Sequence, residues 1–246
     1  MKVTVIGYWH AFPEAGEAAS GYLIEENGFQ VLLDCGSGVI AQLQHYCKLG
    51  DIDAVVISHY HNDHIGDIGA LHYFRLLQPV ISEEPQQPIT IYGHKEDPAG
   101  FENLSFEGTI TTEPYEADKP LNIGPFTFTF YKTTHPVPCY AMKIQTEQSA
   151  LFFTADTGFS TELAHAASGA DLMIAESTAY KGEDGASFGH MTSEEAGQMA
   201  GLANVPHLLL THLPHFGDHD QLVTEAQNEC PDTKVEKAAG GWSKTL

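Results

Sequence analysis

Between positions 59 and 64 the chain reads His-Tyr-His-Asn-Asp-His, directly after the apolar run Ala54-Val55-Val56-Ile57. Four groups of metal-ligating type, His59, His61, Asp63 and His64, therefore fall within six residues. A short apolar run bounded by polar residues reads as a strand buried on both faces. In the extended segment beyond it, His59 and His61 share one side, because side chains alternate with a period of two. The helix expected over 66–77 turns the chain at once. That turn carries Asp63 and His64 to an adjacent point, with the amide end of the helix toward the same place. One histidine needs no chemical explanation, but four ligands at this spacing point to metal.

Six residues cannot complete two coordination spheres, so further ligands are expected at the ends of later strands. His135 follows a strand over 127–132, Asp156 follows Leu151-Phe152-Phe153-Thr154-Ala155, and His212 follows Leu208-Leu209-Leu210-Thr211. Loops at strand ends converge on one edge of a sheet. The other segments fit such a frame. Strands are expected at 2–7, 52–58, 89–92, 140–145, 150–154, 171–175 and 207–210. Phe126, Phe128 and Phe130 alternate with threonines as in a half-buried strand. Residues 22–25 and 29–34 flank Asn27-Gly28, a two-residue hairpin signal. Helices are expected at 38–48, at 66–77 with Pro79 as the stop, and at 161–167, 193–202 and 220–228. Thr192 to Glu195 form a capping region for the fourth of these. The acidic stretch 94–122 reads as irregular, with weak strand signals. Strands lead and helices then alternate with them, which predicts one layered α/β domain over 1–246 with mixed sheets.

Charge narrows the partners. The 246 residues carry 33 acidic against 11 basic groups, a net charge of −22, and Arg75 is the one arginine. Binding of long polyanions needs clustered Lys and Arg, so nucleic acid and anionic membrane are poor partners. A small anion still binds where a local cation reverses the field. Four cysteines without a Cys-x-x-Cys pair suit a reducing compartment. The N-terminus lacks a secretory pattern, and no run reaches the ~18 apolar residues of a membrane span, so the expected location is the cytoplasm.

The motif His-x-His-x-Asp-His after a buried strand, followed by His, Asp and His at strand ends, resembles that of the metallo-β-lactamase superfamily, over essentially the whole chain. The resemblance implies an αβ/βα four-layer sandwich of two mixed sheets with a dinuclear site at one edge. By that likeness His59, His61 and His135 hold one metal, Asp63, His64 and His212 the second, and Asp156 bridges them. Asp63 also counts among the catalytic candidates. Imidazole and carboxylate donors suit zinc, and manganese is compatible with the same set. The flavo-diiron branch carries Glu where this chain has His61, which speaks against redox iron. Paired metals imply a metal-activated hydroxide as nucleophile.

Glu176, at the end of Met173-Ile174-Ala175, and His190, in Gly189-His190-Met191-Thr192, resemble elements of the RNase Z branch of phosphodiesterases, with Met191 where that branch usually has Ser. The likeness implies that His190 is a general acid and that Glu176 orients it. RNase Z enzymes insert a tRNA-gripping arm between the third ligand motif and the bridging aspartate. Here His135 and Asp156 are 21 residues apart (156 − 135), and predicted strands fill the interval. The expected reaction is therefore hydrolysis of a small phosphodiester, a cyclic nucleotide or cyclic phosphate. The alternatives are a thioester or lactone hydrolase on the same metals, RNase Z-like tRNA 3′ processing, and a non-catalytic metal-binding or nucleic-acid-processing accessory protein. The branch often forms homodimers. Asp34 and Asp67 are candidates to buttress ligand histidines, with surface or capping roles as the equal alternative for both. Gly36-Ser37-Gly38 mimics a dinucleotide fingerprint but reads as a tight turn. His10, after the first strand, could line the cleft, as loops there do in the superfamily, but like His215 and His219 it reads as a solvated loop residue.

Overall fold

The computed structural model describes residues 1–82, 87–106, 108–117 and 119–246. The first half of the chain supplies β1 (Lys2–Gly7), β2 (Gly21–Glu26), β3 (Phe29–Leu33), α1 (Val39–Leu43), β4 (Ala54–Val56), α2 (Asn62–Ile65), α3 (Ile68–Ser82), β5 (Ile89–His94), α4 (Pro98–Glu102) and β6 (Ile110–Tyr115). The second supplies β7 (Leu121–Ile123), β8 (Phe126–Lys132), β9 (Tyr140–Gln145), β10 (Ala150–Phe153), α5 (Thr161–Ala167), β11 (Leu172–Glu176), α6 (Ser193–Ala203), β12 (His207–Thr211), α7 (His219–Glu229), β13 (Lys234–Lys237) and β14 (Ser243–Thr245).

The strands form two seven-stranded sheets, ordered β14-β1-β2-β3-β4-β5-β6 and β13-β12-β11-β10-β9-β8-β7. Each is antiparallel at first and parallel later: β3 to β6 pair in parallel in one, β10 to β13 in the other. Parallel neighbours need crossovers, which α1, α3, α5, α6 and α7 provide. Parallel strands also end together, so the loops after β3, β4, β10, β11 and β12 share one edge.

Period-two alternation explains the layers. Tyr22, Ile24, Val31, Leu33 and Val56 face the second sheet and pack with Phe126, Phe128, Phe130 and Met142. Their neighbours Leu23, Leu32 and Val55 face outward onto Val39 and Leu43 of α1 and Leu71 of α3. Helices α5, α6 and α7 cover the other sheet. Each fully buried Phe of β8 contributes about 1.5–3 kcal/mol over exposure. The architecture is the expected αβ/βα sandwich with two mixed sheets.

At the hairpin, Asn27 (φ 51°) and Gly28 (φ 83°) both turn left-handed, as the twist-matched two-residue loop requires. Gly38, at φ 86°, caps α1. A side chain at Gly36 would place its Cβ 1.9 Å from the Asp63 carbonyl, so that glycine permits a close approach beside the ligand motif rather than a phosphate cradle. Thr192 and Glu195 form the capping box of α6.

Some expectations shift. The helix expected over 38–48 is only the five residues of α1, and no acidic or basic residue of its own supports either end. Expected helix 66–77 instead starts at Ile68 after the short α2, and runs through Pro79 to Ser82. Proline there forfeits one backbone bond in the last turn, too little to stop a helix anchored by Ile68 and Leu71. The stretch 94–122 carries α4, β6 and β7 among its described residues, with 107 and 118 outside them. The edge strands β13 and β14 carry no signal of their own in the sequence. Among the described residues no helix is long and apolar enough to cross a membrane.

Candidate metal centre

The candidate ligands arrive from separate loops on the shared edge. His59, His61, Asp63 and His64 follow β4, and His135 follows β8. Asp156 follows β10 and His212 follows β12. Non-glycine residues turn left-handed at these exits: Asp34 (φ 54°) after β3, Ala155 (φ 49°) before Asp156, and His212 (φ 53°) itself. Each such conformation costs of order 1–3 kcal/mol and persists only where the surroundings impose it.

One ligand atom each from His59, His61, His135 and Asp156 lies within 4.8 Å of the others, and the same holds for His64, Asp156 and His212. Asp156 belongs to both groups. Its Oδ2 is 3.6 Å from His59 Nε2, while Oδ1 is 3.3 Å from His64 Nε2 and 3.7 Å from His212 Nε2. Asp63 Oδ2 lies 3.2 Å from His212 Nε2 and 3.8 Å from His64 Nε2. All seven predicted positions thus converge in two donor groups sharing one carboxylate.

The far nitrogens of the rings are committed to oxygen. His64 Nδ1 is 2.7 Å from Asp34 Oδ2. His59 Nδ1 is 3.1 Å from Ser58 Oγ, which donates to Asp34 Oδ2 at 2.8 Å. His135 Nδ1 donates to the Gly189 carbonyl at 3.1 Å. The Thr178 hydroxyl donates to Glu176 Oε2 at 2.8 Å and therefore accepts from His212 Nδ1 at 2.9 Å. With Nδ1 committed to oxygen in each ring, Nε2 is the atom left to face the centre.

Those nitrogens test the fit of a cation. His61 Nδ1 is 3.1 Å from His59 Nε2 and 3.2 Å from His135 Nε2, and a single Nδ1 proton is the most that these three nitrogens can share. Among the described residues His64 Nε2 is buried without a hydrogen-bond partner; burial lowers its pKa, but Asp156 and Asp34 outweigh that and raise it, a proton that a cation bound there would displace. Burial, with the neighbouring His64, holds His59 well below the usual imidazole value, and burial likewise lowers His61 and His135. Neutral imidazoles are the form that binds metal. Burial opposes ionisation of Asp156 and Asp63, yet the surrounding histidines hold both carboxyls below their usual range. Three imidazoles held neutral, two ionised carboxylates and the orphaned nitrogen of His64 fit divalent cations.

Glu176 and His190 adjoin the second donor group. Glu176 Oε1 lies 2.8 Å from His190 Nδ1 and also accepts the Thr157 N–H at 2.8 Å. Burial pulls the His190 pKa down, but the Glu176 carboxylate outweighs it and raises the value to about 9. The His190 ring stands 5.3 Å from that of His135 and 5.4 Å from that of His212.

Three secondary expectations divide. Asp34 does buttress two histidines, through Ser58 and directly. Asp67 does not: its Oδ2 accepts the Ile40 N–H at 2.9 Å and serves the open first turn of α1. His10 is not a solvated loop residue. Its ring meets those of His212 and His190 edge-on at 4.8 and 5.3 Å, and it shares a ligand-distance group with Asp63 and His212. Its place just after β1, on the ligand edge, was the available signal. His215 and His219 also have partners, the His10 and Pro214 carbonyls.

Fold and site together define a metal-dependent hydrolase. A model of the beta-lactamase superfamily domain matches residues 30–213, and the chain belongs to that superfamily. It is 45% identical over 227 residues to a probable metallo-hydrolase, YhfI, of Bacillus subtilis, covering 92% of this chain and 93% of that protein. The crystal structure of the B. subtilis protein superposes with a TM-score of 0.95 at 42% identity, covering 99% and 98% of the two chains. Human tRNase Z, short form, shares the fold at a TM-score of 0.74 and 21% identity, covering 100% of this chain and 99% of that one.

Proposed function

We propose that this chain is a phosphodiesterase for small phosphodiesters, working with two divalent cations, zinc by donor type. His59, His61, His135 and Asp156 would hold one ion, and Asp63, His64, His212 and Asp156 the other. When bound, such ions supply positive charge that neutralises a phosphate and lowers the pKa of a coordinated water.

The observation that carries the choice of reaction is the Glu176–His190 pair. Cleavage of a phosphodiester expels an alkoxide, which needs a proton, whereas a thioester expels a stable thiolate. With Nδ1 committed to Glu176, Nε2 of His190 is the atom free to deliver that proton. The Glu176 carboxylate favours the protonated form of the ring. Glu176 fixes the ring plane, and the Thr157 N–H fixes Glu176.

Two features bear on substrate size. Strands β9 and β10 occupy the interval between His135 and Asp156, where a tRNA-gripping arm would be inserted. The net charge of −22 repels long polyanions. A cyclic nucleotide or cyclic phosphate meets both conditions.

The test is a turnover panel of cyclic nucleotides, linear phosphodiesters, thioesters and lactones, with metal content measured on the same sample. Zinc-dependent phosphodiester turnover is expected to dominate. Its absence, or preferential thioester or lactone cleavage, overturns the reading.

A further inference from the structure

Beside the candidate metal centre, Trp9, His215 and Phe12 stack in one column. The Trp9 and His215 centroids are 4.9 Å apart with an 11° interplanar angle, and those of His215 and Phe12 are 3.9 Å apart at 4°. The inner rings are held in place. The Trp9 indole donates to Glu17, His215 Nε2 donates to the His10 carbonyl at 2.8 Å, and His215 Nδ1 faces Glu14 Oε1 at 3.2 Å. Phe12 closes the column with 57% of its surface exposed.

The backbone that presents Phe12 is strained and tied to the centre. Ala11 sits at φ 61°, and the Phe12 N–H reaches back to the His10 carbonyl at 2.7 Å, a tight three-residue turn. Such a conformation in a non-glycine residue persists only when its surroundings impose it. Here the Ala11 N–H donates to Asp63 Oδ2 at 2.9 Å and the His10 N–H to the Leu213 carbonyl at 3.2 Å. Phe12 is therefore one residue from a hydrogen bond to a candidate ligand, and its ring is held flat against a supported stack with one face open.

We propose that this open face of Phe12 is a stacking platform for a planar heterocycle joined through a sugar to the scissile phosphate. The preferred substrate is then a nucleotide rather than a ring-free cyclic phosphate. The inference rests on the phosphodiesterase reading and names the part of the substrate that reading leaves open. Every base has a π-face, so a bare phenyl platform accepts bases without choosing among them. Ring stacking also offers affinity that is insensitive to the acidic surroundings, Glu14 and Glu17 included, which repel the phosphate at long range.

The test compares adenosine 5′-monophosphate with ribose 5-phosphate by titration calorimetry on the metal-loaded protein. The nucleotide is expected to bind at least about tenfold tighter, the scale of one base–aromatic stack. Phe12→Leu keeps apolar bulk without the ring and should bring the affinity ratio close to one, while Phe12→Trp should restore it. Equal affinity for both ligands, binding of neither, or an unchanged ratio in Phe12→Leu overturns the platform. Turnover of a cyclic nucleotide and of a base-free ribose cyclic phosphate separates the two readings. If the nucleotide binds through Phe12 and neither phosphodiester is cleaved, the reaction reading falls and the platform stands. If both are cleaved equally and the ratio is one, the platform falls and the reaction stands.

Discussion

Glu176 holds the imidazole of His190 by a 2.8 Å contact from Oε1 to Nδ1. Its other oxygen takes the Thr178 hydroxyl, which in turn accepts from His212 Nδ1. One buried carboxylate thereby orients the proposed acid and, through one hydroxyl, a candidate metal ligand. The two are built as a unit, although they lie 22 residues apart in the chain (212 − 190).

Removing the acid should show in the leaving group. His190→Ala is expected to lower kcat by about 10²–10⁴ for a phosphodiester with an alkoxide leaving group, the usual scale for general acid catalysis. A p-nitrophenolate leaving group, which departs without a proton, should lose far less. Steady-state kinetics on the two substrates decide it, since equal losses on both would deny His190 that role.

Thr178 should act through the metal rather than the substrate. Thr178→Val keeps the shape and deletes the hydroxyl that fixes the His212 tautomer. The expected result is metal affinity about 10–100-fold weaker by chelator competition, with Thr178→Ser close to the parent. Unchanged affinity in the valine variant would show that the hydroxyl does not orient His212.

Asp156 is expected to serve both ions. Asp156→Ala should reduce metal content at both donor groups, read by elemental analysis after dialysis. Loss of a single equivalent would contradict a shared carboxylate. Metal removal from the parent protein should also lower Tm, because a ligand bound only by the folded state stabilises it.

His94 predicts a pH effect away from the centre. It is buried, its ring stacks on Tyr60 at 4.4 Å, and among the described residues neither ring nitrogen makes a well-formed hydrogen bond. Burial holds its pKa below the usual value, and Lys132 adds to this, while Glu96, Asp97 and the Pro138 carbonyl oppose it. The folded state then binds this proton less readily than the unfolded chain. Its contribution to stability is complete above about pH 6.5 and declines as pH falls below that. His94→Phe should flatten the fall in Tm between about pH 7.5 and 5.5. An identical slope in parent and variant would exclude His94 as its source.

The seven candidate ligand positions are legible in the chain order because each comes after an apolar run. A buried strand announces itself by composition, and the residues just past its end must lie on the sheet edge. The hairpin at Asn27-Gly28 and the capping box at Thr192 and Glu195 are legible for a similar reason, since both are local chemistry within four residues. Most of the strands are likewise legible from period-two and buried-strand patterns, whereas their division into two sheets was implied only by the resemblance.

Tertiary structure alone decided everything that depends on contacts between distant segments. His10 and Asp34 precede the ligand motif by 49 and 25 residues (59 − 10 and 59 − 34). Their places after β1 and β3 put both on the ligand edge, but only the fold shows that one lines the site and the other supports two histidines. Asp67 has the same standing in the sequence as Asp34, but it faces the open amides of α1. Short α1 and long α3 were set by packing against the first sheet, which overrides weak local preference. The strained turn at Ala11, the column ending in Phe12 and the Glu176–Thr178–His212 chain arise only where separate loops meet. Hydrogen bonds and ring contacts depend on distance in space, and separation along the chain does not encode it.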